Sequence, residues 1–368
     1  MSSLHIFCYT FNQNGSYICP NVITHVYEMM KYSMTSSSAK TSDESTKHLP
    51  DIVCLGFQET RYGFEYYWED LPFKNHYGLI HKIRLNGIGN VGIRGLGLYV
   101  LALRNLTSRG VEVSFASEKW VRYNHQYLGK GAVSVLATVR HIPTNMKSHI
   151  LFINTHLPYS DGWEHGGIRE RADSLEVLYD YIIRETAYEY VFILGDFNFR
   201  TQLAIANVDK QESQIFMKYK QWEFFQGCDE FHLLCRKQSR PYASSSPPQD
   251  TTSIYKLEDI VIPPFYKNLL DTFRFQPSYK VQRDRKVSVK HLYPIVRQPS
   301  GGLEELDMNQ YTRWDTDRIP SWCDRILHLP SQRIRRIIYD TDNSPLIANS
   351  DHLPVYSLFI GDLFTELD

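Results

Sequence analysis

Four short apolar runs in this chain each end abruptly on a residue with chemical capability. Leu4 to Tyr9 leads into Thr10-Phe11-Asn12, and Ile52 to Phe57 leads into Gln58-Glu59. Ile150 to Ile153 leads into Asn154-Thr155-His156, and Tyr190 to Leu194 into Gly195-Asp196. Runs of this length, rich in β-branched and aromatic residues, read as buried strands. Laid side by side, they gather amides, acids and imidazole along one rim of a rigid sheet, which is how a fold presents a reactive constellation. Helical periodicity falls between them. Residues 168–184 place Leu175, Leu178 and Ile182 at helical spacing, and residues 21–32 show a similar mixed pattern. With strand-rich stretches near 96–140, the alternation predicts an α/β chain of two packed sheets covered by helices.

A length of 368 residues fits one large layered unit. A single catalytic domain over 1–368 is expected, with polar loop insertions near 33–47 and 236–252. The apolar fraction of 42% supplies a sizeable core, and 14% aromatic residues should dominate its packing. The net charge of −1 lacks the basic excess from which nucleic-acid binders draw affinity, so no nucleic-acid partner is expected. The basic stretches Lys280 to Lys290 and Arg333 to Arg336 read first as solvated faces and second as attraction to an anionic membrane or substrate. Six cysteines without C-x-x-C spacing suit reduced thiols. No signal pattern, membrane-length apolar run or lipidation cysteine is present. A cytoplasmic monomer is expected, with any membrane contact peripheral. Gly87 to Gly92 matches a dinucleotide-binding pattern by letter, but Ile93 to Leu103 reads as strand where that site needs a helix N-terminus, so the match is a decoy.

Phosphate ester hydrolysis needs a metal to neutralise charge, a base for water, and donors for phosphoryl oxygens. Magnesium prefers hard oxygen ligands and keeps several waters, so one or two carboxylates suffice. Glu59, immediately after an apolar run, is the leading ligand candidate, with Asn12 and Asp351 assisting directly or through water. Asp196 is placed to orient and deprotonate a water. Asn198 faces the same side if the segment stays extended. Arg325 and Arg318 carry guanidinium groups suited to bidentate phosphate binding, or to a structural ion pair.

The longer motifs narrow this further. Gly195-Asp196-Phe197-Asn198-Phe199-Arg200 resembles the endonuclease/exonuclease/phosphatase superfamily. Pro320-Ser321-Trp322-Cys323-Asp324-Arg325-Ile326-Leu327 resembles the inositol polyphosphate 5-phosphatases within it. Ser350-Asp351-His352-Leu353-Pro354-Val355, Gln58-Glu59 and Asn154-Thr155-His156-Leu157 fill the remaining positions in order, so the likeness spans about residues 4 to 360. It implies a DNase I-like four-layer sandwich of two packed mixed β-sheets flanked by helices. It also implies Mg2+-dependent removal of the 5-phosphate, foremost from phosphatidylinositol 4,5-bisphosphate, with a phosphoinositide or inositol polyphosphate as partner. By resemblance, Asp324 pairs with His352, Asn198 holds phosphate and base, and His156 contacts the scissile phosphate. A competing assignment makes His352 the base and Asp196 its orienter.

Two positions depart from the pattern. Where many relatives read Gly-Asn-Lys-Gly, this chain has Leu128-Gly129-Lys130-Gly131. Lys130 remains available to the phosphate that joins ring to diacylglycerol, but Gly129 replaces the asparagine. Thr316 stands where a lysine often precedes the arginine matched by Arg318. Both departures bear on substrate choice. The alternatives are a soluble inositol 1,4,5-trisphosphate 5-phosphatase, a nuclease or deadenylase sharing Glu59, Asp196, Asn198 and His352, and a silent binding module.

Overall fold

The computed structural model describes residues 3–16, 18, 20–38, 49–61, 71–86, 94–123, 129–159, 166–202, 222–237, 260–269, 274–281, 319–329, 332–342, 344 and 350–364. In chain order the main elements are β1 (Leu4–Asn12), α1 (Pro20–Ser38), β2 (Ile52–Thr60), α2 (Phe73–His76), β3 (Tyr77–Leu85), β4 (Gly95–Leu103), β5 (Val111–Arg122), β6 (Gly131–His141) and β7 (Lys147–His156). There follow α3 (Gly166–Leu178), continued by a π-helical turn over Tyr179–Ile183, then β8 (Tyr190–Asp196), α4 (Trp222–Gly227), α5 (Glu230–Lys237), β9 (Asp324–His328), β10 (Ile334–Thr341) and β11 (Val355–Gly361).

Six strands form one sheet in the order β10-β11-β1-β2-β4-β3, and five form a second in the order β5-β6-β7-β8-β9. Both sheets are mixed. β1 runs parallel to β2 and antiparallel to β11, while β7 runs parallel to β8 and β8 antiparallel to β9. Strand alternation sorts the core into layers. Ile6, Cys8, Cys54 and Val100 of the first sheet meet Val133, Val135, Phe152, Phe192 and Leu194 of the second. On the far side of the first sheet Phe7, Tyr9, Val53 and Leu55 pack under Ile23, Val26 and Met30 of α1. On the far side of the second, Ile153, Val191 and Ile193 pack with Leu175 and Leu178 of α3. The architecture is thus helix, sheet, sheet, helix, as expected.

Of the loop expected over 33–47, residues 33–38 are helical, because α1 runs on through Ser38. Ser33 is buried and its hydroxyl donates to the Met29 carbonyl at 2.9 Å, which lets a polar residue sit inside a helix. Met34 extends the apolar stripe one turn beyond Met30. Residues 39–48 lie outside the described residues. Likewise α5 takes in Arg236 and Lys237, and 238–252 lies outside the described residues. Among the described residues no helix is long and apolar enough to cross a membrane.

The strand directions decide where chemistry gathers. β1, β2, β7 and β8 finish at one end of the sandwich, on Asn12, Glu59-Thr60, His156 and Asp196. Their antiparallel neighbours begin there: β4 just after Arg94, β6 just after Lys130, β9 at Asp324, and β11 just after the segment holding Asp351 and His352. A buried amide ties the sheets together behind that end. Asn154 Nδ2 donates to the carbonyls of Phe57 at 3.0 Å and Gly97 at 2.9 Å, and its Oδ1 accepts from Gln58 Nε2 at 2.6 Å.

Candidate active site

Asp196 closes β8 and is 1% exposed. Its Oδ1 accepts from the Asn198 backbone N–H at 2.9 Å, and its Oδ2 accepts from Asn12 Nδ2 at 2.9 Å. Burial alone would raise this carboxyl, but His352, His156 and Lys130 outweigh it and hold Asp196 far below the usual carboxylate range. The expected extended segment after Asp196 is not found. Asn198 has φ +53°, so the chain turns, and its side chain is used locally. Nδ2 donates to the Leu157 carbonyl at 2.9 Å and Oδ1 accepts from Arg200 at 2.8 Å. Asn198 therefore fixes Asp196 through its backbone, because an amide at the turn satisfies its neighbours' polar groups.

His352 and Asp324 pair as the resemblance implies. Nδ1 of His352 lies 2.8 Å from Asp324 Oδ2, which leaves Nε2 directed toward Asp196, 4.0 Å from its Oδ2. Burial works against the imidazolium, but Asp324 and Asp196 outweigh it and raise His352 to about 9. The segment is anchored by Ser350, whose hydroxyl donates to the Asn12 carbonyl at 2.6 Å and accepts from the His352 N–H at 3.1 Å. The Tyr279 ring packs on His352 with centroids 4.6 Å apart.

His156, at the end of β7, is almost wholly buried. Its Nε2 lies against Lys130 Nζ, 3.3 Å from Asp196 Oδ2 and 3.8 Å from Glu59 Oε1. Burial and the Lys130 charge both lower His156, and burial lowers Lys130. Glu59 sits on a bulge, where the pairing of β2 with β4 shifts between Phe57 and Thr60, and has φ +50°. Partial burial would raise its carboxyl, but His156, Lys130 and Arg94 lower it overall. Asp351 accepts from Asn14 Nδ2.

Asn12, Glu59, Lys130, His156, Asp196, Asn198, Asp324, Asp351 and His352 thus converge, while one predicted residue does not join them. Arg325 is a correction: it is 1% exposed and donates to Asp229 Oδ2 at 2.5 Å, with its guanidinium over the Phe231 ring. Successive strand residues face opposite sides, so once Asp324 points at His352, Arg325 must point away from the site. Arg318 lies outside the described residues. Arg200 has the reverse history. Quoted only inside a motif, it packs between the Tyr159 and Tyr279 rings, with centroids 4.7 and 4.2 Å from its guanidinium, and braces Asn198. The Gly129 departure has a steric cause. Its φ is +85°, and a Cβ there would stand 2.7 Å from the Arg94 carbonyl oxygen.

The donors around Asp196 suit a hard divalent cation. They are the carboxylates of Glu59, Asp196 and Asp351 and the amide oxygen of Asn12, with no sulfur. Ligand atoms of Asp196, Asp324 and His352 lie within 4.8 Å of one another, and Asp324 Oδ1 is buried without a hydrogen-bond partner among the described residues. Buried carboxylates of this kind call for paired cations.

Comparison with known proteins agrees with the fold. Residues 270–358 match the family described as Endonuclease/Exonuclease/phosphatase family 2. Type I inositol polyphosphate 5-phosphatase 2 of Arabidopsis thaliana is 26% identical over 251 residues, which are 63% of this chain but 29% of that protein. The chain therefore spans under a third of that relative's length. Among solved structures, a Cimex nitrophorin in its ferrous NO complex aligns over 98% of this chain and 99% of its own at a TM-score of 0.57 and 14% identity. An endonuclease/exonuclease/phosphatase family protein of Bacteroides thetaiotaomicron aligns over 99% of this chain and 100% of its own, with a TM-score of 0.41 and 10% identity. Over the residues they match, the chain is similar to the endonuclease/exonuclease/phosphatase superfamily and, distantly, to a 5-phosphatase.

Proposed function

We propose that this chain is a magnesium-dependent phosphatase that removes the 5-phosphate from a phosphoinositide, foremost phosphatidylinositol 4,5-bisphosphate. The observation that carries the reading is the juxtaposition of Asp196, held by Asn12 and Asn198, with the His352–Asp324 pair. The second member of that pair comes from the Trp-Cys-Asp-Arg motif, on which the 5-phosphatase resemblance rests, and the Arabidopsis likeness points the same way.

Asp196 is anchored through both oxygens, so its carboxylate stays fixed while it orients a water and takes its proton. The water oxygen attacks phosphorus as the bond from phosphorus to the ring oxygen breaks, the ring oxygen takes a proton from solvent to leave as the hydroxyl, and Asp196 then returns its proton to solvent. His352, held by Asp324, presents Nε2–H to a phosphoryl oxygen, and His156 with Lys130 adds donors from the other side. A divalent cation held by Glu59, with Asn12 and Asp351 assisting, would supply neutralisation of phosphoryl charge.

A phosphate-release panel tests the reading, with vesicles of phosphatidylinositol 4,5-bisphosphate, soluble inositol 1,4,5-trisphosphate and RNA, each with magnesium and with chelator. The expected result is magnesium-dependent release, fastest from vesicles, slowed at least about a hundredfold in Asp196→Ala, the usual scale for losing a base. Release from RNA alone would transfer the chain to the nuclease branch. Full rates in chelator, or near-normal rates in a folded Asp196→Ala protein, would remove the mechanism.

A further inference from the structure

We propose that Arg94 is a resident competitor for the divalent cation at Glu59, so that the cation must displace a guanidinium to reach its carboxylate. The inference rests on Glu59 being a cation ligand, and it adds a residue that neither the motifs nor the comparisons assign.

Arg94 Nη1 donates to Glu59 Oε2 at 2.8 Å, from the residue just before β4. The contact has been given room. Gly15, at φ +77°, would place a Cβ 2.7 Å from Arg94 Nε, and Gly129, at φ +85°, would place one 2.7 Å from the Arg94 carbonyl oxygen. Both positions favour glycine by their left-handed backbone, and at Gly129 the close neighbour is itself backbone and cannot give way. The Gly15 N–H also donates to the Glu59 carbonyl at 2.8 Å. One turn thus fixes the left-handed Glu59 backbone and clears the lane in which the arginine lies.

Other nitrogen groups surround Glu59: His156 Nε2 stands 3.8 Å away, and Lys130 and His352 act on its charge. A guanidinium is permanently charged, so proton loss cannot vacate the carboxylate. Displacement must be mechanical, and the geometry permits it. The Arg94 side chain is 54% exposed, and an ion pair this open contributes less than about fivefold to an equilibrium. A divalent cation with two or more oxygen ligands outcompetes that, but at a lower apparent affinity than a free carboxylate would give. Arg94 therefore sets the cation concentration at which the site loads.

The test is calorimetric titration of the full chain with Mg2+ alone, without substrate. Arg94→Met is expected to tighten binding by about two- to fivefold, the scale of a partly exposed pair. Arg84→Met removes the same charge from the adjoining strand β3 and is expected to leave affinity unchanged. Glu59→Gln is expected to weaken binding strongly in both the wild-type and Arg94→Met backgrounds. Thermal unfolding checks that each variant folds, and Arg94→Gln replaces Arg94→Met if the latter does not. Unchanged or weaker binding in a folded Arg94 variant, with Glu59→Gln still damaging, overturns the competitor role alone. Equal tightening by Arg84→Met reduces the effect to net charge and also overturns it. Indifference to Glu59→Gln overturns both the competition and the ligand role beneath it.

Discussion

Arg325 shows how one strand step separates two fates for neighbouring charges. Asp324 enters the site, whereas Arg325 is buried on the opposite face against Asp229, which also lies 3.2 Å from His232. Replacing Arg325 with methionine keeps the volume but leaves the Asp229 carboxylate buried without its guanidinium. Breaking such a pair typically costs about 3–5 kcal/mol. Arg325→Met should therefore lower stability by that order in denaturant titrations, and a loss under about 1 kcal/mol would show that the pair is dispensable. The sequence alternation already carried this information, since a strand cannot aim adjacent side chains at one ligand. Glu59 is the contrary case. Its position after an apolar run was readable, but the bulge and positive φ that turn it toward His156 depend on pairing with β4, which no local pattern encodes.

At the scale of elements, the strands were legible because their apolar runs are long and their polar ends abrupt. The limits of α1 were not, because a serine-rich stretch reads as loop until the Ser33 hydroxyl finds a carbonyl within the helix. β9 offers a test of how burial tunes an element. His328 ends that strand between the rings of Phe192 and Phe359, and its Nδ1 accepts from Arg336 at 3.1 Å. Burial lowers it to about 4. The unfolded chain, with an ordinary imidazole near 6.5, therefore binds more protons between those values. Stability contributed by neutral His328 is complete above about pH 6.5 and is lost progressively as pH falls toward about 4. Denaturant titrations at pH 7 and pH 5 should show a fall in the wild type that exceeds the fall in His328→Leu by about 1–2 kcal/mol. Equal falls would mean that His328 titrates normally.

For the whole molecule, the two sheets must keep register for the rim to work. Asn154 spans them through three hydrogen bonds behind the site. Asn154→Leu preserves size but takes one partner from the Phe57 and Gly97 carbonyls and one from the Gln58 amide, which keeps Thr10 Oγ1 at 2.9 Å, at about 1–3 kcal/mol for each group left without a partner. The expected outcome is a stability loss of at least about 2 kcal/mol together with weaker Mg2+ binding, because Gln58 precedes Glu59. Loss of stability with unaltered cation affinity would separate the clamp from the site. Strand ends announced that residues from Asn12 to His352 would meet, yet which sheet each joins became visible only with the topology.

That topology has a consequence for synthesis. β1, which carries Asn12, lies between β2 and β11, so it acquires its second neighbour only from the segment that follows His352, more than 300 residues later. A nascent chain halted before residue 350 holds Asp196, Glu59 and His156 but has neither the imidazole nor the serine that grips Asn12. On the proposed mechanism, the pairing of β11 with β1 is therefore the step that brings His352 and Ser350 to Asn12 and Asp196, and a chain lacking residues beyond 349 is expected to lack that hydrolysis.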